Sequence, residues 1–289
     1  MHIVQVLITG LIAGLTAFLP LSSAGAAVVA SRVLGFQIDH RLYMMILLGI
    51  FLSALSFSFF DVVRLISSLV GIFRDLFSNL KIFFNTRHGK RAYGYRRILN
   101  GNYRSLLLML CVAMIPCMLI GAVIRPIVRV SFENILVVAA GFFVTALVLM
   151  VSSYMSGADK TPKKMKVTDG LIIGLFDGFS FIAGISRTAA TASACYLSGV
   201  SMKAVRKFSI LMVMILSGLM MLHGPWSPQF ANQVPSGPLP CVVALLASFA
   251  GGYLMIRRSG KFLKKNNSRR VAVWNAAAGI FSIVIYLVF

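Results

Sequence analysis

The sequence predicts an all-α integral membrane protein, with six transmembrane helices plus two opposed re-entrant helical hairpins related by an inverted repeat. Three observations predict it. First, 58% of the 289 residues are hydrophobic and only 12% are charged, against about 45–50% and about 25% in soluble domains. So few polar residues cannot cover a water-facing surface, and they also exclude a disordered chain. Second, 28 Lys and Arg stand against 7 Asp and Glu, and the basic residues cluster in short loops between apolar runs. That is the pattern of cytoplasmic loops in membrane proteins; a nucleic-acid partner is not expected. Third, two of the apolar runs are broken by glycine and serine, and the two breaks match each other.

Residues 3–35 are apolar but interrupted by Gly10, Gly14, Pro20, Ser22, Ser23 and Gly25, which a plain spanning helix would not carry. Residues 42–60 form a clean span, followed by a more amphipathic stretch to about Leu80. A basic loop at 81–104 contains Lys81, Arg87, Lys90, Arg91, Arg96, Arg97 and Arg104. Spans at 105–124 and 134–156 are joined by a short turn with Arg125, Pro126 and Arg129. A lysine-rich loop follows (Lys160, Lys163, Lys164, Lys166). Residues 168–200 are again apolar and broken, by Gly174, Gly178, Gly184, Ser186 and Arg187. The remaining spans are 208–222, 241–256 and 271–289. Pro225, Pro228, Pro235, Pro238 and Pro240 mark an uncharged loop before the fifth span, and a basic loop at 257–270 precedes the sixth. Residues 1–30 lack a basic leader and a small-residue cleavage site, so a removed signal peptide is not expected.

Placing the basic loops 81–104, 157–168, 201–207 and 257–270 in the cytoplasm and the proline loop outside fixes the topology. Segment 168–200 must enter and leave on the cytoplasmic side, and 3–35 on the outer side. Both termini are then outside. Irregular backbone at membrane depth is tolerated only where protein or a water-filled cavity satisfies it, so two opposed hairpins imply a shared polar cavity. The chain reads as one membrane domain, 1–289, with repeats at about 3–156 and 167–289. At an offset of 164 residues, Gly10, Gly14 and Ser22 fall on Gly174, Gly178 and Ser186. One hairpin plus three spans is an odd number of crossings, so the second copy is inverted, as in many transporters.

Within this frame Arg187 is the sharpest signal. An arginine inside a membrane-embedded hairpin is a functional hypothesis by default. With Ser186, Thr188 and Thr191 beside it, at a tip with free backbone N–H groups, it suits a phosphate; the alternative is internal pairing, with Asp177 the nearest partner. Asp177 is open to three roles: neutralising Arg187, binding a divalent cation, or acting as a general base. Ser22 and Ser23 either donate to a phosphate or cap a half-helix. The G-x-x-x-G pairs at 10/14 and 174/178 read first as helix-packing motifs. Cys111, Cys117, Cys195 and Cys241 lie in apolar runs without C-x-x-C spacing and read as free thiols. The four histidines are scattered and suggest no zinc site.

Residues 13–26 read A-G-L-T-A-F-L-P-L-S-S-A-G-A, and residues 183–191 read A-G-I-S-R-T-A-A-T. With these two motifs the chain resembles the bacterial undecaprenyl-diphosphate phosphatases, the bacitracin-resistance family, whose motifs have the forms E-G-x-T-E-F-L-P-[IV]-S-S-x-G-H and P-G-x-S-R-S-x-x-T. Further similarity runs through Leu34-Gly35-Phe36, Ile115-Pro116 with Gly121, and Phe208-Ser209. The resemblance implies six spans, two opposed re-entrant hairpins, a pocket open to the outside of a bacterial plasma membrane, and a polyprenyl phosphate or diphosphate lipid carrier as ligand.

It implies phosphate contacts at Ser22, Ser23, Gly184, Ser186, Arg187, Thr188 and Thr191. The family's two first-motif glutamates and its histidine, which the resemblance implies handle metal, proton and phosphoryl transfer, fall on Ala13, Ala17 and Ala26. Alanine neither binds a cation nor moves a proton. By the repeat, Asp177 is the mate of Ala13, so a catalytic carboxylate can have moved to the second hairpin. Three functions follow: a non-catalytic or weakly catalytic protein that binds the lipid and translocates its head group, a working diphosphatase that uses Asp177 with Mg²⁺ or Ca²⁺, or a scaffold for cell-envelope enzymes. No cofactor is otherwise implied, and the oligomeric state is left open.

Overall fold

The computed structural model describes residues 3–87, 95, 97, 101–155, 159–223 and 236–288. The proline loop at Pro225, Pro228 and Pro235, and Lys90, Arg91 and Arg96 of the first basic loop, lie outside the described residues. The described residues form eleven α-helices: α1 (Ile3–Ala17), α2 (Ser23–Val33), α3 (His40–Arg87), α4 (Asn102–Val123), α5 (Arg125–Glu133), α6 (Ile135–Ser152), α7 (Val167–Phe179), α8 (Arg187–Leu197), α9 (Met202–His223), α10 (Pro238–Phe262) and α11 (Lys265–Val288). Six of them, α3, α4, α6, α9, α10 and α11, are long and apolar enough to cross a membrane. They coincide with the six expected spans, and the protein is a multi-pass membrane protein.

The two broken segments each fold as helix–turn–helix, α1–α2 and α7–α8. With 11 to 15 residues per helix and a rise of 1.5 Å per residue, none reaches the ~30 Å of a hydrocarbon core. The breaks follow from local chemistry. Pro20 ends the first turn region, and the Ser22 hydroxyl caps α2 by accepting from Gly25 N at 3.1 Å. In the second hairpin Gly184 takes φ +102°, and the Ser186 hydroxyl caps α8 by accepting from Ala189 N at 3.2 Å.

Each hairpin is seated mainly on a span from the other half of the chain: α1 packs along α10, and α7 along α4. The G-x-x-x-G glycines make both contacts. A Cβ on Gly14 would strike the Ser248 carbonyl, and one on Gly174 would strike the Ala113 carbonyl. The packing reading of these motifs holds at both seats. α6 and α11 pack against each other, and α3 lies against α9 and α10.

One expectation is extended and one needs correction. The amphipathic stretch after residue 60 is helical and runs beyond Leu80. α3 comprises two helical stretches joined across a kink at Ser58 (φ −101°, ψ 16°), the second ending at Arg87. The 81–104 loop is correspondingly shorter. Residues 125–133 are not a turn but the helix α5: Pro126 sits at its N-terminus, where a missing N–H costs nothing and the fixed φ favours the helix.

Candidate anion-binding site between the hairpin tips

The two tips meet backbone to backbone. Gly184 N donates to Ser22 Oγ at 3.0 Å, and a Cβ on Gly25 would lie 2.7 Å from Gly184 N. Thr188 Oγ1 donates to the Ala17 carbonyl at 2.8 Å. Buried side chains from the surrounding helices hold each tip. Asn275 Nδ2 donates to the Pro20 carbonyl at 2.8 Å. Ala183 N donates to Ser131 Oγ on α5 at 3.0 Å. Thr145 on α6 accepts from Ser186 N at 3.0 Å and turns its own hydroxyl toward the Gly184 carbonyl at 3.1 Å.

Between the tips lies a small pocket, lined among others by Ala17, Ser22, Ser23, Ser180, Ile185 and Arg187, with Val213 from α9. Helices α2 and α8 both begin here, so two positive helix ends and a guanidinium converge on one space. Arg187 is buried. Its Nη1 donates to Ser217 Oγ at 3.3 Å and its Nη2 to Met220 Sδ at 3.0 Å, while the Tyr43 hydroxyl neighbours the same guanidinium. These partners, a thioether and two hydroxyls, carry no countercharge in direct contact with the guanidinium.

Asp177 lies near enough for the two charges to attract, but it does not touch the guanidinium. No ion pair joins it to Arg187 among the described residues. It is fully buried, and its carboxylate accepts from Thr191 Oγ1 at 2.7 Å on one oxygen and 3.0 Å on the other.

The expected site residues therefore fall into two groups. Ser22, Ser23 and Arg187 line the pocket, with Gly184 and Ser186 directly behind it as backbone donor and helix cap. Thr188 and Thr191 are buried, and their hydroxyls are committed to Ala17 and Asp177. Ala17 lines the pocket, Ala13 is buried four residues earlier, and Ala26 is half-buried on α2. Sequence reasoning missed Thr145, Ser131, Ser217 and Asn275. Each is a polar residue inside an otherwise apolar helix, and that is the signal that marks them.

A cation finds few ligands here. The lining offers hydroxyls and a guanidinium rather than carboxylates, and no cluster of three or more His, Cys, Asp or Glu among the described residues is placed to hold a metal. These side chains do not by themselves fit Mg²⁺ or Ca²⁺. The arrangement is suited to receiving an anion.

The chain is similar to known proteins over nearly its whole length. The family model described as "Bacitracin resistance protein BacA" matches residues 6–281. The chain is 26% identical to an undecaprenyl-diphosphatase of Corynebacterium glutamicum over 281 residues, 96% of this chain and 88% of that one. It is 28% identical to one of Bacteroides fragilis, over 97% of both chains. A third, of Methanosphaera stadtmanae, is 24% identical over 100% of this chain and 99% of its own.

Proposed function

We propose a lipid-carrier function from the premise that the chain belongs to the BacA family of bacitracin resistance proteins. The protein binds a polyprenyl phosphate or diphosphate, of which undecaprenyl diphosphate is the first candidate, with the head group in the pocket between the hairpin tips. The observation that carries this is the convergence of Arg187, Ser22 and Ser23 with the N-termini of α2 and α8 on a pocket that holds no carboxylate. A diphosphate supplies negative charge in direct contact with the buried guanidinium, and Arg presents a planar fork suited to phosphate oxygens. The isoprenoid tail stays in the bilayer.

With Ala17 in the pocket and Ala13 behind it, the lining offers no carboxylate or imidazole to act as a general base. Loss of a general base alone removes about 10²–10⁴-fold in rate. The reading is therefore binding with little or no hydrolysis, and translocation of the head group between leaflets. The basic loops support a plasma-membrane orientation with the pocket facing outward. Purified protein is expected to retain undecaprenyl diphosphate, to lose it in Arg187→Ala, to release no phosphate with Mg²⁺, Ca²⁺ or chelator, and to flip the head group in proteoliposomes. Absence of both binding and flipping would sink the reading.

The names of the relatives favour a second reading, an active diphosphatase that uses Asp177. Metal-dependent phosphate release abolished by Asp177→Asn would establish it and displace the first.

A further inference from the structure

Beyond Ser58, α3 is built inside out. Its only acids face the bundle: Asp61 accepts from Lys207 Nζ at 2.8 Å and Tyr103 Oη at 2.7 Å, and Asp75 from Arg104 at 2.6 Å. The small residue Gly71 also faces Arg104. The opposite side exposes large apolar groups at helical spacing, including Val63, Ile66, Val70, Phe73 and Phe77 (76% exposed), with Phe60 at 77%. The exposed charges are all positive; Arg64 turns to Tyr103 of the bundle at 2.9 Å, which leaves Arg74 and Lys81 on the outer surface.

Residues 40–58 already suffice to cross a bilayer. Residues 59–87 add roughly 40 Å of helix at 1.5 Å per residue. The polar contacts described between this arm and the bundle reach the first two turns of α4 and α9, namely Tyr103, Arg104 and Lys207. Such contacts hold the arm across the starts of those spans, at the level where the chain leaves the bilayer. Water cannot cover so broad a run of phenylalanine, valine and leucine.

We infer that residues 59–84 of α3 form an arm lying in the membrane interface, with its apolar face in the acyl layer and its cations on anionic lipid phosphates. Two observations choose a lipid surface over a second copy of the chain. The apolar arc includes Phe60 and Leu69 beside the central stripe, which is broader than a two-helix seam requires. The exposed charge is of one sign, complementary to anionic head groups and repulsive to an identical helix. The inference is independent of what the pocket binds.

The test uses the full-length protein in phosphatidylglycerol–phosphatidylcholine vesicles, with the exposed native thiol removed by Cys111→Ala. A fluorophore is placed singly through Ile66→Cys, Phe73→Cys, Phe77→Cys or Ser67→Cys. At 66, 73 and 77 most of the emission should be lost to brominated acyl chains and little to aqueous iodide, with position 67 reversed. Iodide quenching at all four positions would overturn the proposal. So would protection from both quenchers with energy transfer between differently labelled copies, which would mean that a second chain covers the face. Arg74→Gln and Lys81→Gln lie on the surface, and each should weaken the preference for anionic over zwitterionic lipid about fivefold. An unchanged preference would refute the electrostatic half.

Discussion

Thr145 Oγ1, on α6, accepts a hydrogen bond from the backbone N–H of Ser186 at 3.0 Å, one residue before Arg187. Through that bond a span sets where α8 begins, and so where the guanidinium enters the pocket. Thr145→Val keeps the shape but strands a buried N–H, a loss of about 1–3 kcal/mol. The expected result is a lower melting temperature in detergent together with weaker retention of undecaprenyl diphosphate, both restored by Thr145→Ser. Wild-type behaviour of the valine variant would remove the residue from the site.

Arg187 itself distinguishes charge from geometry. Arg187→Lys keeps the positive charge and loses the planar fork. Charge-assisted hydrogen bonds are worth about 1.5–3 kcal/mol each, so losing one weakens diphosphate binding roughly 10- to 100-fold. Titration of the lipid into nanodisc-embedded protein measures it. Equal affinity in the lysine variant would mean that the pocket reads charge alone.

The glycine seats predict a stability pattern. Gly14→Ala and Gly174→Ala drive a methyl into the backbone carbonyls of Ser248 and Ala113, and overpacking of this kind costs about 1–3 kcal/mol. Gly218→Ala is the control, because its methyl meets only the edge of the Phe51 ring at 3.3 Å. Thermal denaturation should rank the control well above the other two. The same ranking for all three would show that helix propensity, not close approach, is at work.

Thr191 and Asp177 form a buried pair whose breakage is directional. Thr191→Val leaves a fully buried carboxylate without its hydroxyl donor, and is expected to lower the unfolding temperature. Asp177→Asn retains an acceptor for Thr191 and should be milder. If the asparagine variant proves the more damaging for stability, the carboxylate's charge is compensated by a group other than Thr191.

The six spans and both breaks were readable in the sequence, because lipid solvation writes long apolar runs and only glycine, proline and serine interrupt them. Arg187 was readable for the same reason, as an expensive residue in an apolar run. The partners of that arginine were not. Ser217 and Met220 approach it only after α9 folds against α8, and serine and methionine inside a span carry no charge signal. Thr188 and Thr191 read as free hydroxyl donors beside the arginine, but the packing of α8 spends their hydroxyls on Ala17 and Asp177. α5 escaped notice because Arg125-Pro126 has the composition of a turn and also of a helix start. The extension of α3 past Leu80 escaped notice because Lys81 and Arg87 have the composition of a basic loop.

Where Gly25 rests on Gly184, no side chain separates the two tips, and the nearest groups are main-chain atoms. Side-chain contacts can slide by changing rotamer, whereas two backbones in van der Waals contact cannot. The two tips therefore meet as one rigid junction, and the position of either is set by the other.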